Sequence, residues 1–257
     1  MKQFFVVLSL MAFMTMTSCQ VQVGDKEWSL GKLYKNDTPT QVHQLGQETA
    51  MSPFNELDVP GPFNVIYEQG GNYTVRIEGT IEQLEKMTVY VKNARLYIDR
   101  CDSKNNNFQG LQVFVTSPDI EKIDIAGSGR VTVPNALKTD KIDLDVSGSG
   151  QITLAQLECT ELNTDIAGSG SVVIGPVQAN TVKNDIAGSG KIEVAALVCK
   201  KVTNDIAGSG KVTLNNLNVD KVNSDIAGSG KVILNGTVGS HTEDIAGSGK
   251  VDVSGLK

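Results

Sequence analysis

The sequence DIAGSGK occurs at residues 185–191, 205–211, 225–231 and 244–250, and close variants stand at 124–130, 145–151 and 165–171. The seven aspartates that open these copies are separated by 21, 20, 20, 20, 20 and 19 residues. A fixed period of about 20 residues is typical of a solenoid, in which each repeat forms one coil and contacts only its neighbours. The repeat therefore decides the fold of the C-terminal half of the chain.

A glycine-rich loop followed by lysine also resembles a phosphate-binding loop. That motif requires Ser or Thr directly after the lysine, and a helix whose N-terminus faces the phosphate. Here Ile192 and Val212 follow the lysines, and the sequence continues as a strand. A βαβ unit also needs about 30 residues, which is longer than one repeat. The loop is predicted to be a corner between strands and not a nucleotide site.

Apolar residues recur one, seven and nine places after each aspartate, and a spacing of two predicts strands with one buried face. We predict an all-β protein, a parallel, right-handed β-helix of about seven coils in which each strand pairs with its copies at about 4.8 Å. One inward column is polar, and its side chains are expected to hydrogen-bond along the column. Its members are Thr164, Asn184, Asn204 and Ser224.

Two cysteines provide a test of this register. Cys159 and Cys199 occupy equivalent places two coils apart, so their Cα atoms should lie about 9.6 Å from each other. A disulfide needs less than about 7 Å. Both are predicted to be free thiols buried in the core.

The N-terminus is typical of an exported protein. Residues 1–18 read as a signal peptide, with Lys2 before an apolar run too short to cross a bilayer. Residues 16–19 resemble a bacterial lipobox, which implies a lipid on Cys19; the alternative is an ordinary secretory signal. Residues 19–52 are predicted to be a polar tether, 53–120 a β-rich cap, and 121–257 the β-helix repeats, which form one folded unit with the cap.

Composition and charge argue against two classes of function, nucleic-acid binding and catalysis. With 23 basic and 29 acidic residues the net charge is −6, and a nucleic-acid partner normally needs a basic surface. Catalysis needs unlike groups that converge where a repeat is broken. The departures from the repeat are Glu158, Glu161, Glu193 and residues 241–244. These do not form an acid, base and metal set, so we expect no enzyme, no cofactor and no nucleic-acid partner.

Two charged columns lie on the predicted outer surface, one of aspartates and one six places later that becomes cationic towards the C-terminus. We interpret them as a candidate binding face for a glycan or another envelope polymer. Each carboxylate is expected to accept hydrogen bonds from its own glycine corner; the alternative is a strip that binds calcium. The candidate residues are Asp165, Asp185, Asp205, Asp225, Lys191, Lys211 and Lys231.

The stretches FNELDVPGPFNVIYEQGGNYTVRIEG at 54–79 and ARLYID at 94–99, followed by the repeated IAGSG, resemble the head GIN domain family of auto-transporter adhesins. The resemblance implies an exported lipoprotein with a β-helical body and no established catalytic activity. We therefore predict a non-catalytic, outer-membrane lipoprotein of the cell envelope that presents a rigid β-helix for adhesion or binding. The alternative is a carbohydrate-active β-helix. We also expect a second copy to cover the open C-terminal coil.

Overall fold

The structure is a computed structural model that describes residues 45–101 and 107–257, together with the backbone of 20–23 and 26–29. The predicted signal peptide 1–18, Cys19 and most of the tether 19–52 lie outside the described residues. Strands β1 (Gln20–Val23) and β2 (Lys26–Ser29) form an antiparallel pair. No helix within the described part of the chain is both long enough and apolar enough to span a bilayer.

The remaining strands form one continuous sheet that winds through the whole body. The N-terminal part contains β3 (Thr49–Ala50), β4 (Glu56–Val59), β5 (Asn64–Gln69), β6 (Thr74–Glu78), β7 (Met87–Lys92), β8 (Arg95–Arg100) and β9 (Gln112–Ser117). The repeats form β10 (Lys122–Gly127), β11 (Arg130–Lys138), β12 (Lys141–Gly148), β13 (Gln151–Glu158), β14 (Glu161–Gly168), β15 (Ser171–Gln178), β16 (Thr181–Gly188), β17 (Lys191–Gly208), β18 (Lys211–Gly228), β19 (Lys231–Gly247) and β20 (Lys250–Leu256).

The repeats form the predicted parallel solenoid of about seven coils. Each strand pairs in parallel with its copy in the next coil, and the register joins aspartate to aspartate and glycine to glycine. For example, β14 pairs with β16 so that Asp165 lies beside Asp185 and Gly168 beside Gly188. The period of the sequence is therefore the length of one coil, and equivalent residues form columns.

The inward columns fill the bore as the spacing predicted. The apolar members have almost no exposed surface, as at Ile186, Val194 and Leu197. The polar column is buried as well, and its amides bond along the axis. Asn184 Nδ2 donates to Asn204 Oδ1 at 2.8 Å, and Asn204 Nδ2 donates to Ser224 Oγ at 3.1 Å. These bonds satisfy the amide nitrogens of Asn184 and Asn204, which would otherwise be costly to bury. The predicted bonding is incomplete, because Thr164 Oγ1 and Asn184 Oδ1 are buried without a hydrogen-bond partner.

The glycine corners allow the coils to stack closely. Gly188 has a φ of +128°, which residues with a Cβ rarely adopt. An added Cβ there would stand 2.5 Å from the carbonyl oxygen of Gly168 in the preceding coil. That oxygen accepts a hydrogen bond from Ser189 N at 2.8 Å. Glycine is thus required both by the backbone conformation and by the coil beneath.

The solenoid continues into the N-terminal part of the chain. Strands β4 and β5 pair beneath β10 and β11, with Asp58 beside Asp124 and Val65 beside Val131. Strands β8 and β9 pair in parallel beneath β4 and β5. This further coil, which contains β8 and β9, is not evident from the repeat, because its sequence lacks the glycine corner.

Antiparallel strands close this end of the solenoid. Strand β7 pairs with β8, while β6 pairs with both β9 and β3. The short helix α1 (Ile81–Leu84) joins β6 to β7 and begins with a capping box: Thr80 Oγ1 accepts from Gln83 N, and Gln83 Oε1 accepts from Thr80 N. The N-terminal end is therefore covered by the chain itself.

The C-terminal end is different, because residues 237–247 of β19 have no described strand above them. In this last coil His241 stands in register with the buried Val222, and Glu243 with the buried Ser224. Both His241 and Glu243 are exposed. The terminal coil thus places polar groups in columns that the coils beneath fill with smaller, buried side chains.

The two solenoid cysteines are free, as predicted. Cys199 is buried, and burial raises the pKa of its thiol to about 12. The prediction that Cys159 is also buried is wrong. Its side chain is only partly buried because it borders a polar groove of about 450 Å³ between Gln69, Asp119 and Asp140.

Candidate functional site

One face of the solenoid carries a continuous column of carboxylates, which we call the acidic ladder. Its members are register neighbours in successive coils, from the N-terminal part to the last repeat. They are Asp58, Asp124, Asp145, Asp165, Asp185, Asp205, Asp225 and Asp244. Since coils stack at about 4.8 Å, the ladder is about 34 Å long.

The ladder borders a groove in its C-terminal half. The groove has a volume of about 430 Å³ and is lined by the aspartates from Asp165 to Asp244 and by the alanines two places after them, such as Ala187 and Ala207. The aspartate and the alanine flank one inward isoleucine, so both point outwards. One wall is therefore acidic, and the other is smooth and apolar.

Burial and mutual repulsion raise the pKa of several ladder carboxylates. For Asp124 and Asp165 burial is the largest cause, and neighbouring ladder carboxylates add to it. For Asp205 burial again comes first, followed by a hydrogen bond and charge repulsion from Asp185. One oxygen of Asp185, Oδ1, is buried without a hydrogen-bond partner. The ladder is thus a set of closely spaced acids that resist simultaneous ionisation.

Cations pair with the ladder as far as Asp185. Arg95 Nη1 lies 3.4 Å from Asp58 Oδ2, Lys122 pairs with Asp145, and Lys183 Nζ lies 2.5 Å from Asp185 Oδ2.

Lys122 and Lys183 belong to the column two places before the aspartates. Beyond Lys183 this column holds Thr203, Asn223 and Thr242 instead. Among the described residues, Asp205, Asp225 and Asp244 form no salt bridge. The C-terminal part of the groove, from Asp205 to Asp244, therefore lies along carboxylates without a salt bridge.

The prediction that each carboxylate bonds to its own glycine corner is wrong. Within residues 45–101 and 107–257 no ladder carboxylate accepts a hydrogen bond from its corner, because the corner amides already bond to the coil beneath. Ser209 N, for example, donates to Gly188 O at 2.8 Å. The described residues also contain no group of three or more His, Cys, Asp or Glu arranged to hold a metal ion.

The predicted lysines form a column of their own. Lys191, Lys211 and Lys231 are register neighbours in β17, β18 and β19. They follow the corner, whereas the aspartates precede it, and they do not line the acidic groove. Lys191 pairs with Glu193, and Lys231 Nζ lies 3.3 Å from Asp252 Oδ2. The structure therefore places the two halves of the predicted binding face on different sides of the corner.

Two of the other departures from the repeat form salt bridges. Glu158 Oε1 lies 2.7 Å from Lys138 Nζ, and Glu161 Oε1 lies 3.7 Å from Lys141 Nζ. Each carboxylate is thus engaged with a cation of the preceding coil. His241 lies on the terminal coil, in register with Val222.

Two tyrosines that the sequence reasoning missed extend the ladder at its N-terminal end. Tyr97 of β8 is the register neighbour of Asp58, and Tyr90 of β7 lies opposite Tyr97. Their rings stack with centroids 4.9 Å apart and planes inclined by 10°. The available signal was the pattern Leu96-Tyr97-Ile98, which repeats the apolar-outward-apolar order of residues 57–59.

An all-β solenoid with uniform outward columns defines a repeat protein with a regular outer face. The chain belongs to the family described as "Putative auto-transporter adhesin, head GIN domain", which matches residues 53–216 and 205–257. No curated protein matches the sequence significantly.

Solved structures of similar fold come from Bacteroides and Parabacteroides species. A "putative adhesin" from Bacteroides fragilis is 26% identical, with a TM-score of 0.74 over 80% of this chain and 94% of that one. A "putative lipid binding protein" from Parabacteroides distasonis is 20% identical, with a TM-score of 0.68 over 87% of this chain and 98% of that one. A "putative adhesin" from the same species is 24% identical, with a TM-score of 0.59 over 80% and 94%. The family description suggests a cell-envelope or surface protein.

Proposed function

We propose that the protein is a non-catalytic lipoprotein of the outer membrane that uses its rigid solenoid to bind a repetitive polymer, such as a glycan of the cell envelope. The observation that supports this is the acidic ladder, with eight carboxylates at equal steps on one face. Such a surface offers the same group to successive units of a polymer. An enzyme, in contrast, needs unlike groups assembled at one place.

The rigidity of the solenoid supports an adhesive role. Each coil is joined to the next by parallel pairing along all of its strands, and the bore is filled with buried side chains. A surface that is ordered before binding loses little conformational entropy when it binds. Many weak contacts along the ladder would then add up through multivalency.

Anchoring is proposed through a lipid on Cys19, which would hold the solenoid at the membrane on the tether 19–52. Several acyl chains give firm anchoring, since each buried CH₂ contributes about 0.8 kcal/mol. The test is fractionation of cells that express Cys19→Ala. The variant should leave the membrane fraction, and unchanged membrane association would contradict lipidation at this residue.

The binding function is tested with an array of envelope polymers and glycans, probed with the folded protein with and without calcium. A triple variant replaces Asp185, Asp205 and Asp225 by Asn, which preserves shape and removes the ladder charge. The matched control replaces Lys191, Lys211 and Lys231 by Gln on the other side of the corner.

Binding should weaken in the aspartate variant and persist in the lysine variant. An array without any bound polymer would contradict the proposed function. Cleavage of a polysaccharide on the array, seen as unsaturated products that absorb in the ultraviolet, would instead favour the carbohydrate-active alternative.

A further inference from the structure

We propose that Tyr90 and Tyr97 form a sugar-stacking platform at the N-terminal end of the acidic ladder, and that its ligand is an uncharged sugar chain. This inference rests on the proposed polymer-binding function and specifies its ligand class. It is carried by the placement of two stacked aromatic rings on the same outer face as the ladder, beside an ion network that offers both hydrogen-bond donors and acceptors.

The two rings lie together on the outer face. Aromatic residues are only 5% of the chain, and the aromatic residues Tyr67 and Phe63 are buried in the core. Tyr90 and Tyr97 are instead half-buried on the outside of β7 and β8. Among the described strands, β7 is in register with β8, so Tyr90 continues the column beyond Tyr97. The pair therefore presents an apolar ring surface next to polar tips, a combination that is enriched at binding surfaces.

The neighbouring groups fit the hydroxyls of a sugar. Arg95 Nε donates to Glu56 Oε2 at 2.7 Å, and its Nη1 lies 3.4 Å from Asp58 Oδ2. Burial opposes the charge of the Arg95 guanidinium, but the hydrogen bond and charge attraction of Glu56 raise its pKa overall, with a smaller contribution from Tyr97. Asp99 follows two places after Tyr97 on the same face. A hydroxyl both donates and accepts, so it can be satisfied by a guanidinium on one side and a carboxylate on the other.

Charge decides between classes of sugar. At the tyrosine end, Arg95 and Lys122 pair with Glu56, Asp58 and Asp145 and offset part of their charge. Two cations face three carboxylates, so this end remains weakly acidic, and the ladder beyond it is more acidic. Both parts of the face would repel a polymer that carries carboxylates or sulfates. A cationic sugar would meet the Arg95 guanidinium beside the rings, so an uncharged chain fits the tyrosine end best.

The test is calorimetric titration of the folded protein with hexasaccharides of glucose and of N-acetylglucosamine as uncharged probes. A hexasaccharide of glucosamine and an oligogalacturonate serve as cationic and anionic comparisons. Tyr90→Ala and Tyr97→Ala should each weaken binding of an uncharged probe by about tenfold, the loss expected for one stacked ring. Tyr90→Phe keeps the ring and should bind like the unmodified protein.

The matched control is Phe114→Ala, which removes another half-buried aromatic ring from the outside of the N-terminal part. Phe114 lies on β9 beneath the guanidinium of Arg76, whose carbon is 3.9 Å from the ring centroid. This variant should not change binding. Thermal unfolding of each variant separates loss of the platform from loss of the fold.

The outcomes distinguish this inference from the proposed function. If a polymer binds and both tyrosine variants bind it equally well, the platform is wrong while the proposed function stands. Preferential binding of the glucosamine or galacturonate probe would overturn the choice of an uncharged chain. If the array experiment and all four probes show no binding, the proposed function itself fails.

Discussion

The substitution Gly188→Ala tests the reasoning about the corners. Gly188 has a φ of +128°, and an added Cβ would approach the carbonyl oxygen of Gly168 to 2.5 Å. Backbone, unlike the end of a flexible side chain, cannot move aside without disturbing the coil. The hydrogen bond from Ser189 N to the same oxygen, at 2.8 Å, would be distorted.

Two contributions set the expected loss of unfolding free energy in Gly188→Ala. A residue with a Cβ in this region of φ costs about 1–3 kcal/mol in backbone strain. Loss of one backbone hydrogen bond costs a further amount of about 1 kcal/mol. Gly188→Ala should therefore lower the free energy of unfolding by about 2–4 kcal/mol.

The first coil supplies a matched control for the same corner. Gly127 has a φ of +114°, but an added Cβ there would meet no atom within 4 Å. Gly127→Ala should show the backbone strain without the contact between coils, so it should be less destabilising by about 1 kcal/mol. Urea unfolding followed by circular dichroism measures both values. If Gly188→Ala costs no more than Gly127→Ala, the argument from stacked corners is refuted.

Four further perturbations follow from the packing and the charges. Asn204→Ala should cost about 2–4 kcal/mol in unfolding free energy, because it leaves a cavity and a buried amide without its partner. Burial and a neighbouring carboxylate raise the pKa of Asp205, so the folded state holds more protons than the unfolded state. The free energy of unfolding should then fall as the pH rises through the acidic range towards neutrality. In Asp205→Asn this fall should be smaller. Cys199 should react with a thiol reagent only after unfolding, since its thiol is buried with a pKa of about 12. Replacing His241 by Val and Glu243 by Ser should strengthen self-association through the open coil, measured by sedimentation.

Each of these has a contradicting result. An Asn204→Ala variant of unchanged stability would show that the bore does not depend on the polar column. Identical pH profiles for Asp205→Asn and the unmodified protein would show that the carboxylate is not perturbed. Labelling of Cys199 in the folded state would contradict its burial. An unchanged sedimentation coefficient for the double variant at high concentration would show that the terminal coil is not where copies join.

The solenoid could be predicted from the sequence because one sequence repeat corresponds to one coil of the structure. Positions such as Ile186 and Asn204 could be assigned to the bore from spacing alone, since every coil repeats the same alternation. The coil that contains β8 and β9 could not be found in this way, because it is held by strand pairing and has no glycine corner. Its tyrosines were missed for the same reason.

The details of the surface depended on contacts between coils. The carboxylate of Asp185 was expected to bond to its own corner, but the amide of Ser189 is occupied by the carbonyl of Gly168. Burial of Cys159 was expected from its column, yet the groove beside Gln69 exposes it. Both outcomes are set by the neighbouring coil or by the N-terminal part, which a single repeat does not reveal.

The direction of the hydrogen bonds between coils has a mechanical consequence. These bonds run along the solenoid axis, so a force that pulls the C-terminal end away from the N-terminal end loads the outermost coil first. Under tension the chain would peel one coil at a time instead of breaking in a single event. Each coil of 20 residues would release about 60 Å of extended chain. The exposed strands of the coil beneath would remain as a template, so a peeled coil could wind back when the load is removed.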